Sequence, residues 1–125
     1  MKIIHLITGL KVGGAEKQVC DLCDQLIYFS NDVYIISLID AIEITPKSNK
    51  IKIINMGLNN YNFLIVFIKL IYIIQKIRPN IIHSHLYHAI VFSRLLRLFI
   101  KIPKIISTHH GLYELTLSRR LILRL

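Results

Sequence analysis

Acidic side chains are scarce in this chain: seven Asp and Glu stand against 16 Lys and Arg in 125 residues, a formal net charge of +9. The surface is therefore cationic, and its natural partners are anions. Cysteine is nearly absent. Cys20 and Cys23 are the only two, which excludes a disulfide framework, and two reduced thiols suit the cytoplasm. Their C-x-x-C spacing also occurs in redox and metal sites. Here it falls on a helix beginning at Ala15, whose apolar stripe is Val19, Leu22, Cys23, Leu26 and Ile27, with Glu16, Lys17, Asp21, Asp24 and Gln25 turned outward. Cys23 belongs to that stripe and Cys20 lies beside it, so helix packing is the expected role. No apolar run reaches the roughly 20 residues of a membrane span. The segment Phe63 to Ile74 carries Lys69 and reads as a buried or interfacial helix. The N-terminus lacks a leader's features: His5 interrupts its apolar run, and no A-x-A site follows at Gly13-Gly14-Ala15. Internal repeats and low-complexity tracts are also missing.

What is present is apolar residue, 54% of the chain. The length suits one domain, able to bury roughly two-thirds of the surface its unfolded chain exposes. Strand-like and helix-like segments alternate. Ile3–Thr8 is an apolar strand, and the helix from Ala15 follows. Asp32–Leu38 and Ile51–Asn55 are β-branched runs separated by a polar stretch with Pro46. Tyr61–Ile77 reads as a helix ended at Arg78-Pro79, because the residue before proline is pushed out of the helical region. Asn80–His85 is a fourth strand, Tyr87–Lys101 a helix with Arg94, Arg97 and Lys101 on one solvated face, and Lys104–Thr108 a fifth strand. Strands alternating with helices specify a parallel sheet covered on both faces, an α/β, Rossmann-like, doubly wound domain. Leu115–Leu125 looks helical and ends without a Gly, Asn or Pro stop signal, so the sequence is expected to be cut short there.

In such sheets ligands bind beyond the carboxyl ends of the strands, where strand order reverses, normally between the first and fourth strands. The glycine loop Gly9-Leu10-Lys11-Val12-Gly13-Gly14 follows strand one and opens a helix, so free N–H groups and a positive dipole end face any anion above it. His85 ends strand four, and His109-His110-Gly111 follow strand five. All three elements should crowd onto one edge. His83 and His85 share one strand face, with His88 a turn away, which is ligand-like spacing. With no carboxylate or thiol nearby, hydrogen-bonded histidines are the preferred reading and no metal is expected. His5, inside strand one, reads as a packed core histidine. His110 is on a loop, free to contact a ligand.

Three segments resemble the N-terminal domain of glycosyltransferase family 4, the retaining enzymes of two-Rossmann GT-B architecture: Leu6-Ile7-Thr8-Gly9-Leu10 with Gly13-Gly14-Ala15-Glu16, Arg78 through His85, and Ile106 through Gly111. The resemblance implies a nucleotide-sugar-dependent transferase, of hexosyltransferase type, acting on a glycan or lipid-linked acceptor in cell-surface polysaccharide synthesis. This half would bind the acceptor. Gly13 and Gly14 would approach the donor diphosphate, with Ala15 and Glu16 in the same donor/acceptor cleft, and His110 would contact the transferred sugar or acceptor near the reaction centre. His85, His109 and Gly111 would lie along the same cleft. It further implies no cofactor and no essential metal, and a second domain carrying a Glu-x7-Glu donor segment, which residues 1–125 do not contain, so this fragment alone should be inactive. The family's usual Gly-His before strand two is replaced by Ser30-Asn31. The charge fits a cytoplasmic protein peripheral on the inner face of the plasma membrane. Two other readings stand beside this one: a basic Rossmann-like module binding nucleotide or nucleic acid, although no recognised nucleic-acid motif is present, and an inactive truncated remnant.

Overall fold

A computed structural model describes residues 1–109. Its elements are β1 (Lys2–Ile7), α1 (Gly14–Tyr28), β2 (Asp32–Ser37), β3 (Lys52–Asn55), α2 (Phe63–Ile77), β4 (Ile81–His85), α3 (Tyr87–Phe99) and β5 (Lys104–Thr108). The strands form one sheet in the order β3-β2-β1-β4-β5, and every neighbouring pair is parallel. The expected doubly wound sheet is therefore present, with strand order reversing between β1 and β4. The expected helix over 115–125 lies outside the described residues.

Two apolar layers sandwich the sheet. On one face Ile4, Leu6, Ile36 and Ile82 pack against Val66, Phe67, Leu70 and Ile74 of α2 and Ala89, Phe92 and Leu96 of α3. On the other, Ile7, Val33 and Ile35 meet Val19, Cys20 and Cys23 of α1. Burial on both faces of β1 and β2 is why those strands read as unbroken apolar runs rather than alternating ones. In α1 the stripe is rotated from its expected position: Cys20 is buried, whereas Leu22 is 38% exposed. Asp24 is not simply solvated. Its carboxylate accepts hydrogen bonds from the N–H groups of Lys47 and Ser48 and ties the β2–β3 connection to the helix.

Helix ends follow local chemistry. Arg78 takes a left-handed conformation (φ 56°) and its N–H donates to the Ile74 carbonyl; Pro79 then prevents continuation. The Lys2 ammonium donates to the carbonyl of Ile77, placing a cation at the negative end of α2. Ser30, where the resemblance calls for glycine, adopts φ 62° just past α1, a conformation that suits glycine. Asn31 steadies this turn by donating from Nδ2 to the Leu26 carbonyl. No helix among the described residues is long and apolar enough to cross a membrane.

Candidate functional site

The adjacency of β1 and β4 builds the site. Ile7 is in register with His85, and His85 with Thr108. The loop after β1, the turn after β4 and His109 after β5 therefore emerge along one carboxyl edge, as strand order alone anticipates.

Within the β1–α1 loop, the glycines have different jobs. A Cβ on Gly9 would stand 2.9 Å from Cγ1 of Ile39, so the loop lies too close to the β2 extension for a side chain. Leu10 continues this contact: its N–H donates to the Ala41 carbonyl, and its own carbonyl accepts from the N–H groups of Glu43 and Ile44. Gly13 is the N-cap of α1, in extended backbone (φ −172°). A Cβ on Gly14 would meet nothing within 4 Å, so its bareness leaves room above the helix start. A cleft of about 450 Å³ opens beside these residues, between α1 and the β2–β3 connection, lined by Gly13, Gly14, Lys17, Asp24, Ile44 and Lys47 among others and by no residue of β4 or β5.

Two carboxylates already address this loop. Val12 N–H donates to Oε2 of Glu43 at 3.0 Å, and the Glu16 carboxylate folds back over Gly13, in the space a Cβ there would need. Glu16 occupies the third helical position, where an acidic side chain is favoured by the dipole. An incoming phosphate would displace or bypass both. Ala15 is half-buried in the same first turn.

Histidines gather on the sheet face that α1 covers. His5 is in register with Ile35 on one side and His83 on the other, and it is 1% exposed. Its Nδ1 lies 3.1 Å from Nε2 of His85, and the two rings stack with centroids 5.3 Å apart at 19°. His83 and His85 have centroids 4.0 Å apart, and His83 Nε2 is 2.6 Å from the Thr108 hydroxyl. Burial, reinforced by the neighbouring His83, lowers the pKa of His5 to about 3, so it stays neutral. His5 is thus buried as expected, but as a bonded partner of His85 rather than simple packing. His85, expected along an open cleft, is 2% exposed and faces His5. His88 is exposed on α3, its ring edge-on to Tyr87, and the histidine grouping that forms contains His5 in its place. His109 is exposed at the edge. His110 and Gly111 lie outside the described residues.

Two further features were not anticipated. Glu43 sits in a polar stretch without periodicity, where nothing marks it as a loop partner. Leu86, between His85 and α3, has φ 71° and ψ 160°, a region nearly reserved for glycine that costs about 1–3 kcal/mol. Such strain persists only where the surroundings hold it, and this turn lies on the candidate edge. The thiols are quiet: burial, then Asp24, Asp21 and Glu16, pushes Cys20 up to about 11, and burial raises Cys23 further.

Comparison with known proteins agrees with this fold. The model of the family described as Glycosyltransferase Family 4 matches residues 12–125. A sucrose-phosphate synthase from Thermosynechococcus elongatus superposes over 98% of this chain and 39% of its own, at 13% identity and a TM-score of 0.71. A glycosyltransferase from Rickettsia africae ESF-5 does so over 94% of this chain and 32% of its own, at 20% identity and a TM-score of 0.65. At these identities the likeness carries the fold, and the chain spans 32–39% of the length of those structures. No curated protein matches the chain by sequence.

Proposed function

The chain belongs to glycosyltransferase family 4, and on that premise we propose that it forms the acceptor-side half of a retaining, hexosyltransferase-type enzyme. The donor would be a nucleotide sugar, and the acceptor a glycan or lipid-linked glycan in cell-surface polysaccharide synthesis. The observation that carries this reading is the convergence at the β1–β4 reversal: an open glycine loop at a helix start, a strained turn after His85, and the β5 exit at His109. N–H groups at the head of α1 would face the donor diphosphate across the cleft once Glu16 and Glu43 yield. His110 would contact the transferred sugar or the acceptor. The donor-holding half would lie outside residues 1–125, so these residues alone would not transfer sugar, and transfer would need no cofactor.

Position at an anionic membrane belongs to the same proposal. Leu64, Ile65, Ile68 and Tyr72 of α2 are 58–67% exposed, with exposed Lys69 and Lys76 on the same helix. Apolar residues that enter the headgroup region beside lysines that meet anionic lipid are the features of an interfacial helix. Cosedimentation with phosphatidylglycerol vesicles should exceed that with phosphatidylcholine vesicles and fall in Ile65→Asp/Ile68→Asp; equal, unchanged recovery would refute the position. Transfer itself is tested by incubating the full-length protein with a panel of nucleotide sugars and measuring released nucleoside diphosphate. Turnover of at least one donor supports the proposal. No release from any donor, with a membrane acceptor fraction present, would overturn it.

A further inference from the structure

We propose that His5, His83 and His85 form a three-imidazole site for a zinc-type divalent cation at the β1–β4 reversal. The backbone brings them together. His83 and His85, two residues apart on one strand, project from the same face, and His5 on the adjoining strand is in register with His83. One donor nitrogen from each lies within 4.8 Å of the others.

The spacing is close to what a metal needs. Zinc–nitrogen bonds of about 2.0–2.1 Å at tetrahedral angles put two ligand nitrogens about 3.3–3.4 Å apart. His5 Nδ1 and His85 Nε2 are already 3.1 Å apart, and with all three donor atoms within 4.8 Å of one another His83 would have to close by up to about 1.4 Å. Metal-binding imidazoles are normally steadied through their other nitrogen or a neighbouring polar group, and the Thr108 hydroxyl bonded to His83 does this.

The donor set selects the ion. Three imidazoles, with no carboxylate in the group among the described residues, suit zinc, copper or nickel and not magnesium or calcium. Three ligands from the described residues leave a fourth tetrahedral position for water or an oxygen of a bound molecule. A cation here would pin β1 to β4, a holding role separate from sugar transfer. The inference rests on the histidine geometry and not on the transferase reading, so either stands if the other fails.

The test uses the full-length protein, stripped with EDTA and then titrated with zinc chloride. One zinc per chain should bind with micromolar or tighter affinity and raise the melting temperature by several degrees. Cobalt(II) in its place should show the intense visible bands of a tetrahedral site. His5→Gln and His83→Gln should each weaken binding at least tenfold, while His88→Gln and His109→Gln leave it unchanged. If a variant does not fold, the wild-type protein still decides: zinc must shift the imidazole ¹⁵N resonances of His5, His83 and His85. Failure to bind zinc at micromolar concentration, or binding that shifts other histidines, overturns the proposal.

Discussion

Acid should weaken this domain through one buried imidazole. His5 takes up a proton near its ordinary value of 6.5 in the unfolded chain but only at about 3 in the fold, because burial first, and His83 second, penalise the cation. Between those values the unfolded state holds more protons, so stability falls as pH falls, and the loss is complete below about 3. At 1.36 kcal/mol per unit, moving from pH 7 to pH 4 costs ~3 kcal/mol through this group alone, with a limiting slope of about 1.4 kcal/mol per pH unit. That is a large part of the 5–15 kcal/mol typical of a domain. Urea unfolding in EDTA at a series of pH values measures it, with His5→Leu as the reference. The variant loses the bond to His85 and should be less stable at pH 7 by about 1–3 kcal/mol, but its curve should be flatter and approach the wild type's in acid. Parallel curves between pH 6.5 and pH 4 would refute the assignment of a neutral, buried His5.

Three glycine-related substitutions separate structural from functional positions. Gly9→Ala places a Cβ 2.9 Å from the Ile39 side chain and should destabilise by about 1–3 kcal/mol in denaturant titration. Ser30→Gly relieves a left-handed residue at φ 62° and should raise stability by up to about 1 kcal/mol in the same assay. Gly14→Ala adds a methyl into open space and should stabilise the helix start by about 0.4–1 kcal/mol, while raising the KM for the nucleotide-sugar donor in the full-length enzyme. Unchanged KM would mean that the diphosphate does not approach this position.

Most of the architecture is legible in the sequence because apolar runs, prolines and the glycine loop punctuate it. The bounds of β5 coincide with expectation, and those of α2 differ only where Tyr61 and Asn62 precede the first helical residue. The order that brings β1 beside β4 follows from alternation and right-handed crossovers. Registers do not follow, and a one-residue slip turns a side chain to the opposite face. This is why His5 reads as plain core until Ile7 is seen opposite His85, and why His88, close in sequence, is the wrong third member of the histidine group. The exchange of Cys20 for Leu22 in the buried stripe has a similar origin, since a helical stripe's rotation is set by the sheet beneath it. Glu43 and Leu86 depend on loop geometry that no periodic pattern encodes.

The central claim is that this carboxyl edge is one wall of a glycosyltransferase cleft, and His110→Ala in the full-length enzyme tests it most directly. Turnover of the preferred nucleotide sugar should fall by roughly two orders of magnitude, with the melting temperature essentially unchanged. Turnover equal to wild type, or a loss matched by unfolding, would contradict it.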